Sequence, residues 1–484
     1  MTQTDSYFSQ TQPIRALEAR FLREASRGRG GPLPRTTDLF RYAFSVAKLE
    51  RLRTGTRDVD LFEEVAPFRH WLAEQLEYFI DLDRKQAIPW NDVTAFGGSV
   101  VSRLTEVRNA ILARHSGRFD EDRLEAELRQ RRLVLVLGGG GGSGYAHLGL
   151  FAVLSELGVS PSLIVGSSMG ALVGLFRAAM REYDPMTTAL ALPRPSEFGR
   201  VFAPYRGFSR FGFPGTLEIK ARSVGREIFA NLLGTEIPQI SELPIPFRAL
   251  GTGLRTGIGL AISEVERDIE RARTALSPFA LRRRVALFSG IVRTMIARPR
   301  FLSEVVFGGP GLRDFNAVDA VGFSCAVPGI LHYDIYARED DTIHQLQNLF
   351  AERQIFRMTD GGVANNVASR VAWDAVHAGD IRTRNTFILA ADAFAPLVNR
   401  NALFIPAQQL ARTNVSANRA YSDHHITYQR PPSPAKVLQS FEGLQEIIAR
   451  VRVELEPQRP LLSLALSPLP RWDVLRDDFL AAQR

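Results

Sequence analysis

The chain has 484 residues, room for two or three domains and a large buried core, and its 45% hydrophobic and 23% charged residues are the balance of a globular protein. A single cysteine, Cys325, excludes an intramolecular disulfide; Met1 to Ser6 has neither the basic nor the apolar part of a secretory signal, and no apolar run is long enough to span a membrane. These features point to the cytoplasm, and the formal net charge of +8 suits an anionic partner, although no nucleic-acid motif accompanies it.

Residues 1–132 read as an N-terminal helical region. Ile14 to Ala25 is helical in composition, Gly28 to Pro34 breaks it, and Thr36-Thr37-Asp38 offers a cap for a helix with Leu39, Tyr42, Ala43 and Val46 on one face. Asp58 to Lys85 and Asn91 to His115 are further amphipathic stretches, and Asp120 to Arg132 is a charged helix. No chemistry-bearing residues cluster there, so the region reads as a cap or a partner-binding module.

Two strand–turn–helix units follow directly. Leu133 to Leu137 is a continuous apolar run, expected as a strand buried on both faces, and Gly138 to Gly144 turns it into a helix from Tyr145 to Leu157. Pro161 to Val165 is the second strand, and Gly166-Ser167-Ser168-Met169-Gly170 turns it into the helix Ala171 to Met180. Such pairing predicts an α/β fold with a parallel sheet. The second turn has the form G-x-S-x-G, in which flanking glycines let neighbouring backbone pass a serine held on a sharp, exposed turn. Ser168 is thus a candidate nucleophile. The amides of Gly139, Gly140, Gly141 and Gly142 are candidate oxyanion donors. Gly139, Gly141 and Gly144 also fit the dinucleotide pattern G-x-G-x-x-G, but the next strand ends without the acid that would hold a ribose, and Ser143-Gly144-Tyr145 lacks the lysine of a phosphate loop.

Pro185 to Gly215 carries Phe198, Phe202, Tyr205, Phe208, Phe211 and Phe213, which suit either an acyl-chain channel or ordinary core. Thr216 to Leu233 looks helical, and Pro246 to Leu254 is a strand. Between Arg271 and Arg300 there are eight arginines and no acid. Leu281, Val285, Phe288, Val292 and Met295 repeat with helical period, with Arg282, Arg283 and Arg293 mostly opposite. Arg282, Arg283, Arg284 and Arg293 are therefore candidate membrane contacts, on an interfacial helix or a helix packed on the core with a solvated face. Arg338 to Arg353 reads as an insertion loop with a short helix. Gln354 to Met358 is strand-like and leads to Asp360-Gly361-Gly362, an ordinary turn or the seat of a base.

In this order, Gly138 to Gly149, Gly166 to Gly170 and Asp360-Gly361-Gly362 resemble the three signature blocks of the patatin-like phospholipases. The likeness extends to Pro246-Phe247-Arg248, to Ser324 through Gly329 and to Asn365-Asn366, over about half the chain. The resemblance implies a three-layer patatin-like α/β fold with a mostly parallel central sheet. It also implies a Ser–Asp dyad of Ser168 and Asp360, supported by Gly166, Gly170, Gly361 and Gly362, acting on lipid acyl esters; no cofactor or metal is expected. Ser143 stands where the family usually has Lys or Arg, and Thr252-Gly253 where it often has Thr-Asp. On this reading residues 133–398 form the catalytic domain, with a basic amphipathic insertion at about 260–300, and 399–484 a C-terminal helical and loop extension. There, Asp423-His424-His425 lacks a third spaced ligand for a metal, Pro431 to Pro434 is a linker or turn, Ala435 to Val453 a helix, and Pro457 to Pro470 loop-like.

Two other readings stay open. One is a Ser–His–Asp hydrolase with His377 or His424 as its imidazole; the other is a binding or regulatory module on a weakened patatin-like fold. His147 and Cys325 read as structural.

Overall fold

The computed structural model describes residues 3–28, 31–55, 57–83, 86–258, 264, 267–268, 290–295, 297–336, 341–394 and 405–483. Leu281, Arg282, Arg283, Arg284, Val285 and Phe288 of the basic stretch lie outside them. The chain folds into two compact units, one of Met1–Leu133, Asp374–Phe387 and Glu456–Arg484, the other of Val134–Trp373 and Ile388–Leu455.

The first unit is mostly helical: Gln3–Ala25, Pro34–Ala47, Phe62–Phe79, Trp90–Arg114 and Glu121–Leu128, joined by Arg459–Leu466 and Trp472–Gln483. Leu17, Phe21, Phe40, Phe44, Leu72 and Leu104 are fully buried, and the Phe21 ring lies 5.5, 5.6 and 5.3 Å from those of Phe40, Phe44 and Trp90. The second helix starts at Pro34 rather than at a Thr or Asp cap, because proline gives up an N–H that the first turn cannot use anyway. Between the second and third helices runs a hairpin, β1 (Arg51–Thr54) and β2 (Arg57–Asp60), where a helix-only reading had no strand. Only Leu52 and Val59, paired across it, are buried, so no alternation marked it in the sequence. Likewise Pro457 to Pro470, expected as loop, holds a helix.

The second unit is built on a mostly parallel sheet of seven strands. In chain order its strands are β3 (Arg132–Leu137), β4 (Pro161–Ser167), β7 (Phe247–Arg255), β8 (Leu302–Phe307), β10 (Ile355–Asp360), β11 (Thr386–Asp392) and β12 (His424–Thr427). Three short strands, β5 (Phe202–Pro204), β6 (Leu217–Ile219) and β9 (Leu331–His332), make a separate sheet. Leu133 to Leu137 are all buried, as a strand covered on both faces requires. The large sheet runs β10-β7-β4-β3-β11-β12, with β8 also on β7. Asp423 to His425, expected as loop, instead leads into and begins β12, and Asp423 Oδ2 accepts the Ile388 N–H at 2.7 Å.

β7 decides where the site falls. Its residues Ala249 to Leu254 pair with β8 along one edge. On the other edge β4 runs parallel and ends with Ser167 opposite Leu250, while β10 runs antiparallel and ends with Asp360 opposite Gly251. Two strands therefore meet end to end on one edge, and their last residues occupy consecutive positions. Within the basic stretch, the helical residues 290–295 bury Ile291, Val292 and Met295 and expose Arg293.

Candidate active site

Ser168 follows β4 and precedes the helix Met169–Ala178 at φ +51°, ψ −127°, a conformation that L residues rarely adopt. Its neighbours must be glycine. A Cβ on Gly166 would lie 2.5 Å from the Ala171 Cα, and one on Gly170 2.2 Å from the Leu137 carbonyl oxygen. The Ser168 N–H donates to the buried Ser324 Oγ at 2.8 Å, so the block Ser324 to Gly329 packs behind the turn.

Asp360 ends β10 and caps the short helix Gly361–Ala364, its Oδ1 accepting the Gly362 N–H at 2.8 Å. Gly361 has no room for a side chain, since a Cβ would meet the Leu250 carbonyl oxygen at 2.2 Å. Thr252 holds this turn from β7: its hydroxyl donates to the Asp360 carbonyl at 2.8 Å and accepts the Ala364 N–H at 3.0 Å. The Ala326 carbonyl accepts both the Asp360 N–H at 2.9 Å and the Thr359 hydroxyl at 2.8 Å. Burial raises the Asp360 carboxyl to about 6, against the pull of the Ser168 hydroxyl and the Gly362 N–H, which favour the carboxylate. Oδ2 is buried and not locked into a hydrogen bond of ordinary geometry. The serine hydroxyl thus influences this carboxyl without being fixed to it.

The glycine turn divides its amides between two tasks. The Gly139 N–H donates to Asn366 Oδ1 at 2.9 Å, and the Gly142 N–H to the Pro434 carbonyl at 2.9 Å. Gly140 (φ +147°) and Gly141 (φ +54°) line the cavity beside Ser168, and their N–H groups meet no acceptor among the described residues. Of the four sequence candidates, these two can receive an oxyanion. Ser143 stabilises the turn in place of a basic residue, its hydroxyl donating to the Gly140 carbonyl at 2.8 Å. His147 braces its start: Nε2–H donates to the Gly138 carbonyl at 2.8 Å, so Nδ1 faces the Tyr428 hydroxyl at 3.1 Å as the acceptor. Burial lowers this imidazole to about 4, which keeps it neutral.

Two apolar cavities, of about 390 and about 150 Å³, share Ser168, Gly141, Phe202, Val327, Leu331 and Val437. The aromatic run divides accordingly. Phe198 and Phe202 line the larger cavity, Tyr205, Phe211 and Phe213 are buried core, and Phe208 is exposed. Cys325 faces the smaller cavity, and burial pushes its thiol up. Pro434 to Val437, expected as a linker and a helix start, instead form a wall: a Cβ on Gly141 would meet the Pro434 carbonyl oxygen at 2.4 Å, and Tyr145 donates its hydroxyl to the Val437 carbonyl at 2.8 Å. No histidine is among the described residues lining either cavity. His377 sits in the first unit, its ring 4.7 Å from that of Tyr7.

A strained serine beside a buried carboxyl, with two free amides and apolar walls, is equipped for acyl transfer from an apolar ester. Among the described residues no helix is long and apolar enough to cross a membrane. No match is found among curated proteins. The patatin-like phospholipase family model matches residues 135–373. These residues, with their three-layer α/β fold, form a patatin-like phospholipase domain, of a family of lipid acyl hydrolases.

Proposed function

We propose that the protein is a serine carboxylic-ester hydrolase of lipid acyl esters, of phospholipase A, lysophospholipase or esterase type, working through a Ser168–Asp360 dyad. Asp360 takes the hydroxyl proton as Ser168 Oγ attacks the ester carbonyl. The Gly140 and Gly141 amides receive the oxyanion, the alcohol leaves, and water releases the acid from the acyl-enzyme. The observation that carries this reading is the register on β7, which sets Asp360 one position from the end of the nucleophile strand. The apolar cavities meeting at Ser168 favour an acyl chain over a polar substrate. No histidine is among the described residues of the cavity wall, and the Ser168 hydroxyl acts on the Asp360 carboxyl, which supports the carboxylate as the base.

The test is acyl release from mixed phospholipid vesicles by wild type, Ser168→Ala and Asp360→Ala, with folding checked for each. Release by wild type alone supports the dyad; equal release by all three rejects it. A base raised to about 6 also sets the pH profile. kcat/KM should fall about tenfold per pH unit below that value, as Asp360 becomes protonated, and level off above it.

The substrate reading extends to a peripheral membrane surface. β5 and β9 border the larger cavity, and the loops after them expose Phe208 and Tyr336, rings 6.5 Å apart. Apolar side chains of this kind and the arginines of the basic stretch suit an anionic bilayer. Changing Arg282, Arg283 and Arg284 to Glu should weaken binding to anionic liposomes by about tenfold or more in a sedimentation assay. Unchanged binding would exclude those arginines from the contact.

A further inference from the structure

Two polar atoms in the cavity wall are left unmatched. Asn366 is 2% exposed and Asp360 6%, and both line the larger cavity. Asn366 Nδ2 and Asp360 Oδ2 are buried, and among the described residues neither has a hydrogen-bond partner of ordinary geometry. Turning the Asn366 carboxamide over does not cure this, because the Gly139 N–H needs an acceptor and only Oδ1 can serve. Asp360 Oδ1 is likewise committed, to the Gly362 N–H. The two side chains flank one residue: a Cβ on Gly362 would lie 2.9 Å from Asn366 Oδ1 and 3.0 Å from Asp360 Oδ1. A spare donor and a spare acceptor therefore belong to two side chains that flank Gly362 and line the cavity beside the nucleophile. A buried polar group without a partner calls for an explanation, and this pair has complementary demands. The species that satisfies both is one that accepts from Nδ2 and donates to Oδ2, which is a hydroxyl or a water.

We infer that Asn366 holds the water that deacylates the enzyme, an inference that rests on the Ser168–Asp360 dyad. In the resting site the Ser168 hydroxyl supplies the proton that Asp360 attracts. Once Ser168 Oγ is esterified that hydrogen is gone, and Oδ2 is open to water. Nδ2 donates to the water oxygen and leaves one of its lone pairs directed at the acyl carbon. The new C–O bond forms as the water proton passes to Asp360 Oδ2. The tetrahedral intermediate then expels Ser168 Oγ, which takes the proton back from Asp360. Acid and free enzyme result, with no further reactant. Because Gly140 and Gly141 already supply amides for the oxyanion, Asn366 is needed in the second half of the cycle and not in the first.

Pre-steady-state hydrolysis of a p-nitrophenyl acyl ester separates the two halves. Asn366→Asp keeps an acceptor for the Gly139 N–H and replaces the donor with an oxygen. The expected result is an acylation burst within about threefold of wild type and a deacylation rate lower by about ten- to a hundredfold, with acyl-enzyme accumulating in intact-mass spectra. Equal loss in both phases would assign Asn366 to the oxyanion and overturn the inference, as would an unchanged deacylation rate. Should the variant fail to fold, wild type phosphonylated at Ser168 provides the second measurement. A crystal structure of that adduct should hold a water within hydrogen-bond distance of both Asn366 Nδ2 and Asp360 Oδ2, and a water bonded to neither refutes the inference. A wild type with no burst, indistinguishable from Ser168→Ala, would instead reject the dyad itself.

Discussion

An Asp360→Asn variant is expected to lose ester hydrolysis by about three to four orders of magnitude and, at neutral pH, to melt at a higher temperature than wild type. The loss follows from removing the proposed general base while leaving the strained serine and the amides in place. The gain follows from the same burial that tunes the base. The folded carboxyl is raised from 3.8 to about 6, so the native state holds its proton more tightly than the unfolded chain does. Its contribution is fully favourable below about pH 4, is lost as pH rises through about 6, and leaves wild type less stable at neutral pH by on the order of 3 kcal/mol. Asn does not ionise, and its side-chain oxygen still accepts the Gly362 N–H, so it escapes that cost. Thermal melts at pH 4 and pH 7.5 check the sign: the two proteins should converge at the lower pH and separate at the higher. A variant less stable than wild type at pH 7.5 would mean that the carboxylate is better solvated than its burial implies.

In the first unit the largest effect should come from Arg108→Met. Arg108 is 2% exposed, its Nη1 is 2.6 Å from Glu125 Oε1 and its Nη2 2.7 Å from Glu121 Oε1, and its guanidinium lies 5.7 Å from the Trp472 ring centroid. Glu125, equally buried, also accepts the Tyr42 hydroxyl at 2.7 Å. Methionine fills the space but strands the Glu125 charge, at a cost of about 3–5 kcal/mol in urea unfolding. Adding Glu125→Gln removes that charge while keeping an acceptor for Tyr42, and should recover more than half of the loss. If the double variant is no better than the single, the arginine acts through packing rather than by balancing the carboxylate.

The parts of the fold that could be read from sequence are those whose burial leaves a pattern. β3 and β4 are apolar runs covered on both faces, and the turns after them carry glycines at positions where any Cβ collides with backbone. Asp360 was legible only through the family's blocks, because its approach to Ser168 is a long-range matter of register on β7. Other parts left no local mark. β5, β6 and β9 are two or three residues long, too short to show a period. The wall at Pro434 to Val437 acts through main-chain carbonyls, which every residue has. The two hydrogen bonds of Thr252 and the acceptance of the Ser168 N–H by Ser324 use residue types common anywhere, so only their placement gives them a role.

The end-to-end meeting of β4 and β10 on β7 has a consequence for biosynthesis. A ribosome releases the nucleophile turn long before Ile355 to Asp360 emerge, and until β10 docks there is a hydroxyl with no base beside it. A nascent or truncated chain of the proposed hydrolase is therefore silent toward the lipids around it. During refolding, the return of hydrolysis should lag behind the return of helical signal, because catalytic competence waits on the docking of β10 against β7.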